Sequence, residues 1–206
     1  MLLKDKLNNK KLILASGSPR RREVLAATGL PFTLADPYEV EEEFPVGMDA
    51  EDVAGFLAAL KSTSYPHELG ADDILLTADT VVVAGGRVLG KPRDRDQAVE
   101  MIRLLSGRSH KVITGVVLRS AETIMAFDTL SKVWFRELSD EEMEYYVDTY
   151  RPMDKAGAYG IQEWIGYVGV SRIEGSFYNV MGMPMQAIYL RLDEFIQTEI
   201  EMKDDK

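Results

Sequence analysis

The sequence predicts an α/β domain built on a mixed sheet flanked by helices. Three observations carry this prediction. Short β-rich apolar runs alternate with amphipathic helical segments along most of the chain. Several neighbouring β-runs are joined by hairpin-like turns, so the sheet is not purely parallel. The 206 residues, 46% hydrophobic and 28% charged, suit one well-buried soluble domain over 1–206, or one domain with two lobes.

Taken in order, residues 11–15 read as a buried strand and residues 20–28 as a helix stopped by Gly29. Residues 32–35 suggest a second strand, and 38–44 an acidic loop. Residues 50–64 are helical, with Val53, Phe56, Leu57 and Leu60 on one face. The apolar run 74–78 ends at Asp79-Thr80. Residues 81–84 and 87–89 form a hairpin around Gly85-Gly86. Residues 94–106 are a helix, with Asp94 as N-cap, Gly107 as stop and a stripe of Ala98, Met101, Ile102 and Leu105. Runs 110–118 and 123–138 read as long strands. Ser139 and Glu142 form a capping box opening a helix to about Tyr150. A loop over 157–160, a strand over 164–172, a helix over 184–197 and a frayed polar tail over 199–206 complete the chain.

Charge and composition narrow the function. Lys and Arg number 24 against 34 Asp and Glu, a net charge of −10. A nucleic-acid partner needs a basic surface, so none is expected. A small anion needs only a local cationic pocket. The absence of cysteine excludes disulfides, thiol nucleophiles and thiolate zinc sites. No apolar run is long enough to span a bilayer, and the run after the N-terminal lysines is too short for a signal peptide. The expected setting is reducing and cytoplasmic, with no membrane partner.

Three segments carry candidate chemistry. In Ser16-Gly17-Ser18-Pro19-Arg20-Arg21-Arg22 a strand ends in small residues, and arginines follow at a helix start. Unpaired N–H groups, the helix dipole and the guanidinium fork all favour an anion such as phosphate. Solvated surface arginines are the alternative. Asp79 follows an apolar strand, where a carboxylate holds a metal, takes a proton from water, or simply caps a turn. The segment from Gly85 to Pro92 has the spacing of a phosphate-binding P-loop, but Pro92 stands where Ser or Thr must bind magnesium. Lys91 is left as a point cation or as a surface lysine. His67 and His110 have no metal-ligand spacing, and neither GxSxG nor GxGxxG occurs. Glu39, Glu41, Glu42 and Glu43 form a charge run that is solvated unless one faces the site.

Ser16-Gly-Ser-Pro-Arg-Arg21, Ala78-Asp-Thr-Val81, Gly90-Lys-Pro92 and Lys155-Ala-Gly-Ala-Tyr-Gly-Ile-Gln162 occur in that order. Together they resemble the Maf family of nucleoside triphosphate pyrophosphatases over about residues 11–198. The resemblance implies an inosine-triphosphatase-like fold with two lobes and a central cleft. The run to Gln162, with Asn179-Val-Met-Gly-Met-Pro184, is similar to the branch acting on dTTP and UTP, not the branch acting on 7-methyl-GTP. By that resemblance Asp79 is the catalytic carboxylate, and Arg20, Thr80 and Gln162 set substrate specificity. Ser16, Arg21, Glu42, Lys61 and Lys91 surround the triphosphate and metal. Glu163 departs from the pattern, which has Gly there, and sets a carboxylate beside the base pocket.

The implied reaction splits the α–β anhydride, giving a nucleoside monophosphate and pyrophosphate. Asp79, as general base or as metal ligand with Glu42, works with a divalent cation (magnesium, manganese or cobalt). The Gln162 amide both donates and accepts against the edge of uracil or thymine. The family further implies a homodimer, limitation of modified nucleotides and a link to arrest of cell division. Two alternatives are a non-catalytic nucleotide-binding regulator and a pyrophosphatase for a different pyrimidine or a modified purine nucleotide.

Overall fold

The computed structural model describes residues 1–204. In chain order the strands are β1 (Lys11–Leu14), β2 (Thr33–Leu34), β3 (Asp73–Ala84), β4 (Arg87–Leu89), β5 (Ser109–Arg119), β6 (Ile124–Phe135) and β7 (Val170–Glu174). The helices are α1 (Leu3–Lys6), α2 (Pro19–Ala26), α3 (Val53–Thr63), α4 (Arg95–Leu105), α5 (Asp140–Tyr150), α6 (Trp164–Gly169), α7 (Phe177–Val180) and α8 (Met185–Asp204). The strands form one mixed sheet in the order β2-β1-β3-β5-β6-β7, with β4 beside β3. The mixed sheet flanked by helices is thus the observed architecture.

β3 is the spine of the sheet. One edge pairs antiparallel with β5, from Leu75 opposite Arg119 to Val83 opposite Lys111. The other edge changes partner along its length. β1 runs parallel to residues 73–76, and β4 folds back antiparallel on residues 82–84. Neither β1 nor β4 pairs with residues 77–81, so the edge is open there. Strand ends and changes of partner are where ligands collect in α/β sheets.

Alternation along β3 sorts the core. Ile74, Leu76 and Ala78 join a cluster with Leu14, Val116, Leu118, Ile188, Leu192 and Phe195. Val82 and Ala84, farther along the same face, join a second cluster with Val112, Ile102, Val133, Phe135 and Tyr146. Between the two runs lies a polar seam. The Thr80 and Thr114 hydroxyls meet at 3.0 Å, Thr114 Oγ1 donates to Asn179 O at 3.1 Å, and Asn179 Nδ2 donates to Ser131 Oγ at 3.0 Å. The opposite face is covered by α3, whose Val53, Ala54 and Leu57 pack on Val81, Val83 and Ile113.

Several elements differ from the sequence expectation, each for a physical reason. Asp79 does not end a strand. β5 pairs along residues 75–83, so the run before it and the run 81–84 form one twelve-residue strand. The helix expected over 20–28 is α2, which starts at Pro19, whose fixed φ suits the first turn, and ends at Ala26. The strand expected over 123–138 stops at Phe135.

Residues 164–169 are a helix, and only 170–174 are a strand. Trp164 packs edge-on against Tyr145 of α5 at 5.0 Å, and Ile165 is buried, so packing overrides the aromatic and β-branched signal. The tail is not frayed at its start. α8 continues to Asp204, and the buried Glu199 accepts from Lys10 Nζ at 2.6 Å. Residues 205 and 206 of that expectation lie outside the described residues. No helix among the described residues is long and apolar enough to cross a membrane.

Candidate active site

The open edge of β3 forms the floor of a cleft of about 1270 Å³. Because no strand covers residues 77–81, side chains from both faces of β3 reach it. Ser16, Arg20, Arg21, Glu42, Lys61, Asp79, Thr80, Lys91 and Gln162 all line this cleft. Residues scattered over nearly 150 positions of sequence are therefore gathered in one place.

At one end Asp79 points to the α3 face of the sheet. Lys61, in the last turn of α3, donates to Asp79 Oδ1 and pairs with Glu42 Oε1 at 2.9 Å. Asp79 Oδ2 takes no hydrogen bond from the described residues and remains available to a water. Tyr38 places Glu42. Its hydroxyl donates to Lys61 O at 2.7 Å and its ring meets Tyr65 edge-on, which ties the acidic loop to the end of α3. Burial pushes the Glu42 carboxyl up, but its bond to Lys61, with the charges of Lys61, Lys91 and Arg21, outweighs burial and holds it below the ordinary value. Lys91 stands at the rim, 3.9 Å from Glu42, with its side chain 61% exposed. Glu39, Glu41 and Glu43 are exposed, as a solvated charge run should be.

The three arginines have three fates. Arg22 is exposed. Arg21 turns inward and is committed to protein. It donates from Nε to Gly182 O at 2.8 Å, from Nη1 to Ala78 O at 2.7 Å and from Nη2 to Thr80 Oγ1 at 3.1 Å. The Ala78 carbonyl lies on the open stretch of β3, so Arg21 supplies the partner a strand would otherwise give. Desolvation lowers its pKa and the Asp79 charge opposes that fall. Its contribution to the cleft is positive field and positioning, since its donor fork is already engaged. Ser16 Oγ accepts from Ser18 N at 3.2 Å and from Arg21 Nη1 at 3.4 Å.

Arg20 crosses to the opposite wall. Its Nη1 pairs with Asp154 Oδ2 at 2.7 Å. Asp154 Oδ1 accepts from Lys155 Nζ at 2.8 Å. Burial raises the Asp154 pKa, but these two cations outweigh it and bring the carboxyl to about 2. Lys155 also pairs with Glu163 Oε1 at 3.1 Å, and Glu163 Oε2 accepts from the Tyr146 hydroxyl. The Glu163 carboxylate is therefore neutralised within the wall and is not a free charge at the cleft. Gln162, next to it, has a buried Oε1 with no hydrogen-bond partner among the described residues. A buried amide oxygen left in that state awaits a donor.

Asp154 and Lys155 also border the cleft, although local pattern marks neither as a site residue and Lys155 enters only as the first residue of the motif that runs to Gln162. Their one signal is position: an opposite-charge pair directly before the Ala156-Gly-Ala turn. The arrangement as a whole offers a cationic, carboxylate-bearing end and an end of mutually neutralised charges around an unpaired amide.

The donor set also fits a hard divalent cation. Asp79 and Glu42 converge on a single point, held by the Lys61 ammonium. Magnesium commonly takes one or two carboxylates and completes its shell with phosphate and water oxygens. Among the described residues no group of three or more His, Cys, Asp or Glu is gathered for a metal. These residues therefore suit a cation that arrives with substrate oxygens, not an all-protein cage.

The chain is similar to several known proteins. A dTTP/UTP pyrophosphatase from Porphyromonas gingivalis is 47% identical over 193 residues, covering 93% of this chain and 97% of its own. Proteins of the same description from Bacteroides thetaiotaomicron and Christiangramia forsetii are 47% and 41% identical, over 89% and 96% of this chain and 95% and 100% of theirs. A solved structure of a HAM1 protein from Coxiella burnetii aligns with a TM-score of 0.45 at 14% identity, over 90% of this chain and 99% of that one. The family model described as Maf-like protein matches residues 11–195. With nine-tenths of its length matched, the chain belongs to the Maf family.

Proposed function

We propose that this protein is a nucleoside triphosphate pyrophosphatase that hydrolyses dTTP and UTP to the monophosphate and pyrophosphate. The observation that supports it most is the polarity of the one cleft. Asp79, Glu42, Lys61 and Lys91 gather at one end, and Gln162, whose buried carbonyl oxygen has no partner among the described residues, sits beside the mutually neutralised charges of the other wall. The names of the relatives point to the same substrates.

In this reading the triphosphate lies along the cationic end. Lys61 and Lys91 offset its charge and stabilise the departing pyrophosphate, and Arg21 adds its field from behind the β3 edge. Asp79 Oδ2 orients a water against the α-phosphorus and takes its proton, while Lys61 holds Oδ1 in place. A divalent cation held by Asp79 and Glu42 would neutralise phosphate charge and lower the barrier to attack. Thr80 and Arg20 border the sugar and base, and Gln162 reads the base edge through its amide. The same reading places the enzyme in the cytoplasm as a homodimer, which sedimentation measures directly, and gives it a part in limiting modified nucleotides.

A nucleotide panel assayed with magnesium, manganese and cobalt tests the proposal. The expected result is release of pyrophosphate and UMP or dTMP in equal amounts, with UTP and dTTP ahead of CTP, GTP and ATP. Tight nucleotide binding with no turnover under any metal would overturn it in favour of a regulator.

A further inference from the structure

Glu163 stands at the N-cap of α6, yet its side chain makes no cap bond to that helix. It turns back instead. Oε2 accepts from the Tyr146 hydroxyl, and Oε1 lies 3.1 Å from Lys155 Nζ. The Tyr146 oxygen in turn accepts from Gly160 N at 3.0 Å. A phenol, a carboxylate and an ammonium thus close around residues 160–162 from behind the cleft wall. The fit is tight: a Cβ on Gly160 would lie 2.8 Å from the Glu163 carboxyl carbon and 3.0 Å from Gln162 Nε2. Tyr146 and Lys155 are buried, and the Glu163 side chain is only 18% exposed. The group this enclosure presents to the cleft is the Gln162 carboxamide, whose oxygen has no partner among the described residues.

We propose that Glu163 is a positioning residue for base selection: by gripping Tyr146 and Lys155 together it fixes the 160–162 turn and so aims the Gln162 amide at the nucleobase. This rests on the pyrophosphatase reading above and adds a specificity determinant to it. Two effects follow from the one carboxylate. The backbone of the turn is tied at Gly160 N to the Tyr146 oxygen, whose hydroxyl the Glu163 carboxylate holds in place. The Lys155 charge is also answered within the wall by Glu163 and Asp154. An unanswered ammonium there would attract the carbonyl oxygen of cytosine as readily as those of uracil, and blur the distinction. Burial, and then the neighbouring Glu163 charge, push the Tyr146 hydroxyl far above its ordinary pKa, so it stays a donor.

The test compares Glu163→Ala, Glu163→Gln and Tyr146→Phe with the parent in steady-state kinetics on UTP and CTP. Calorimetric affinities for UMP and CMP accompany it. Glu163→Ala is expected to cut the UTP:CTP ratio of kcat/KM at least tenfold. The loss should appear mainly in KM for UTP, with kcat changed less than threefold. Glu163→Gln keeps an acceptor for only one of the two donors and should fall between. UMP affinity should drop in step while CMP affinity holds. A Glu163→Ala protein with an unchanged ratio, or one whose kcat falls equally on both nucleotides at constant KM, would overturn the inference. If Glu163→Ala does not fold, Tyr146→Phe, which removes the phenol's bonds to Glu163 and Gly160 and leaves the carboxylate in place, carries the same comparison. If the parent turns over no nucleotide, the pyrophosphatase reading fails by itself. The UMP-to-CMP affinity ratio then still decides the role of Glu163.

Discussion

Lys61 donates to Asp79 and also pairs with Glu42, so its removal leaves two carboxylates without the cation that bridges them. Lys61→Met should therefore raise the Glu42 pKa, because burial and the Asp79 charge then act unopposed by that ammonium. Carboxyl titration by NMR reads the direction. The same change should lower kcat by roughly 10²–10³, the usual cost of losing one charge-stabilising donor. Asp79→Asn keeps the shape and removes the base, and kcat should fall by about 10²–10⁴ with the melting curve little changed. Gln162→Ala should lower discrimination between UTP and CTP by roughly tenfold or more, the worth of a buried amide interaction of ~1–3 kcal/mol. The arginine run, Asp79 and Lys91 were legible as candidates from local pattern, whereas Lys61, Thr80 and Gln162 entered only through the resemblance of the ordered motifs to a family. The fate of Arg21 was not legible. Nothing in three consecutive arginines tells which one will turn inward and spend its donors on Gly182, Ala78 and Thr80.

α3 carries Lys61, and its approach to the sheet depends on one position of β5. A Cβ on Gly115 would lie 2.4 Å from Ala54 O and 2.5 Å from Gly55 Cα, both backbone atoms of α3. Gly115→Ala must push the helix outward. The expected loss of stability is ~1–3 kcal/mol, as for other overpacked cores, read by denaturant unfolding. Turnover should fall as well, because Lys61 moves with the helix. The helical spacing of Val53, Phe56, Leu57 and Leu60 announced α3 itself. The requirement at Gly115 lies in a contact between elements sixty residues apart, which no local pattern records. α6 shows the converse. Residues 164–169 carry a strand-like composition, and they fold as a helix because Trp164 and Ile165 find partners on α5 and in the core. The break read at Asp79-Thr80 was a real feature, but it marks a change of partner along β3 and not the end of the strand.

At the scale of the whole molecule, two apolar clusters share one sheet face and are divided by the seam of Thr80, Thr114, Asn179 and Ser131. The second cluster encloses His110, whose Nε2 lies 2.7 Å from the Tyr159 hydroxyl and whose Nδ1 has no partner among the described residues. Burial lowers its pKa from 6.5 to about 4. The unfolded chain therefore takes up this proton first as pH falls. Stability is full above about pH 6.5, declines toward pH 4 and stops changing from this group below that, a loss of about 3 kcal/mol. Asp154 and Glu142, both held near 2, lose their contributions only below about pH 4. Melting temperature measured across pH 3–8 should show two separate declines, and His110→Phe should remove the upper one. The mixed sheet was legible because alternation and hairpins are local signals; the division of its core was not, since it depends on which strands meet side by side.

The first cluster has a timing built into it. Leu3 and Leu7 are covered by α8 residues such as Ile188 and Leu192, and Lys10 finds its acceptor in Glu199. On the ribosome the early segment emerges roughly 10–40 s before the late one, at ordinary rates of synthesis. Through that interval its leucines lack their α8 cover, so the nascent chain offers chaperones a sticky flank that closes only once Ile188 and Leu192 have emerged.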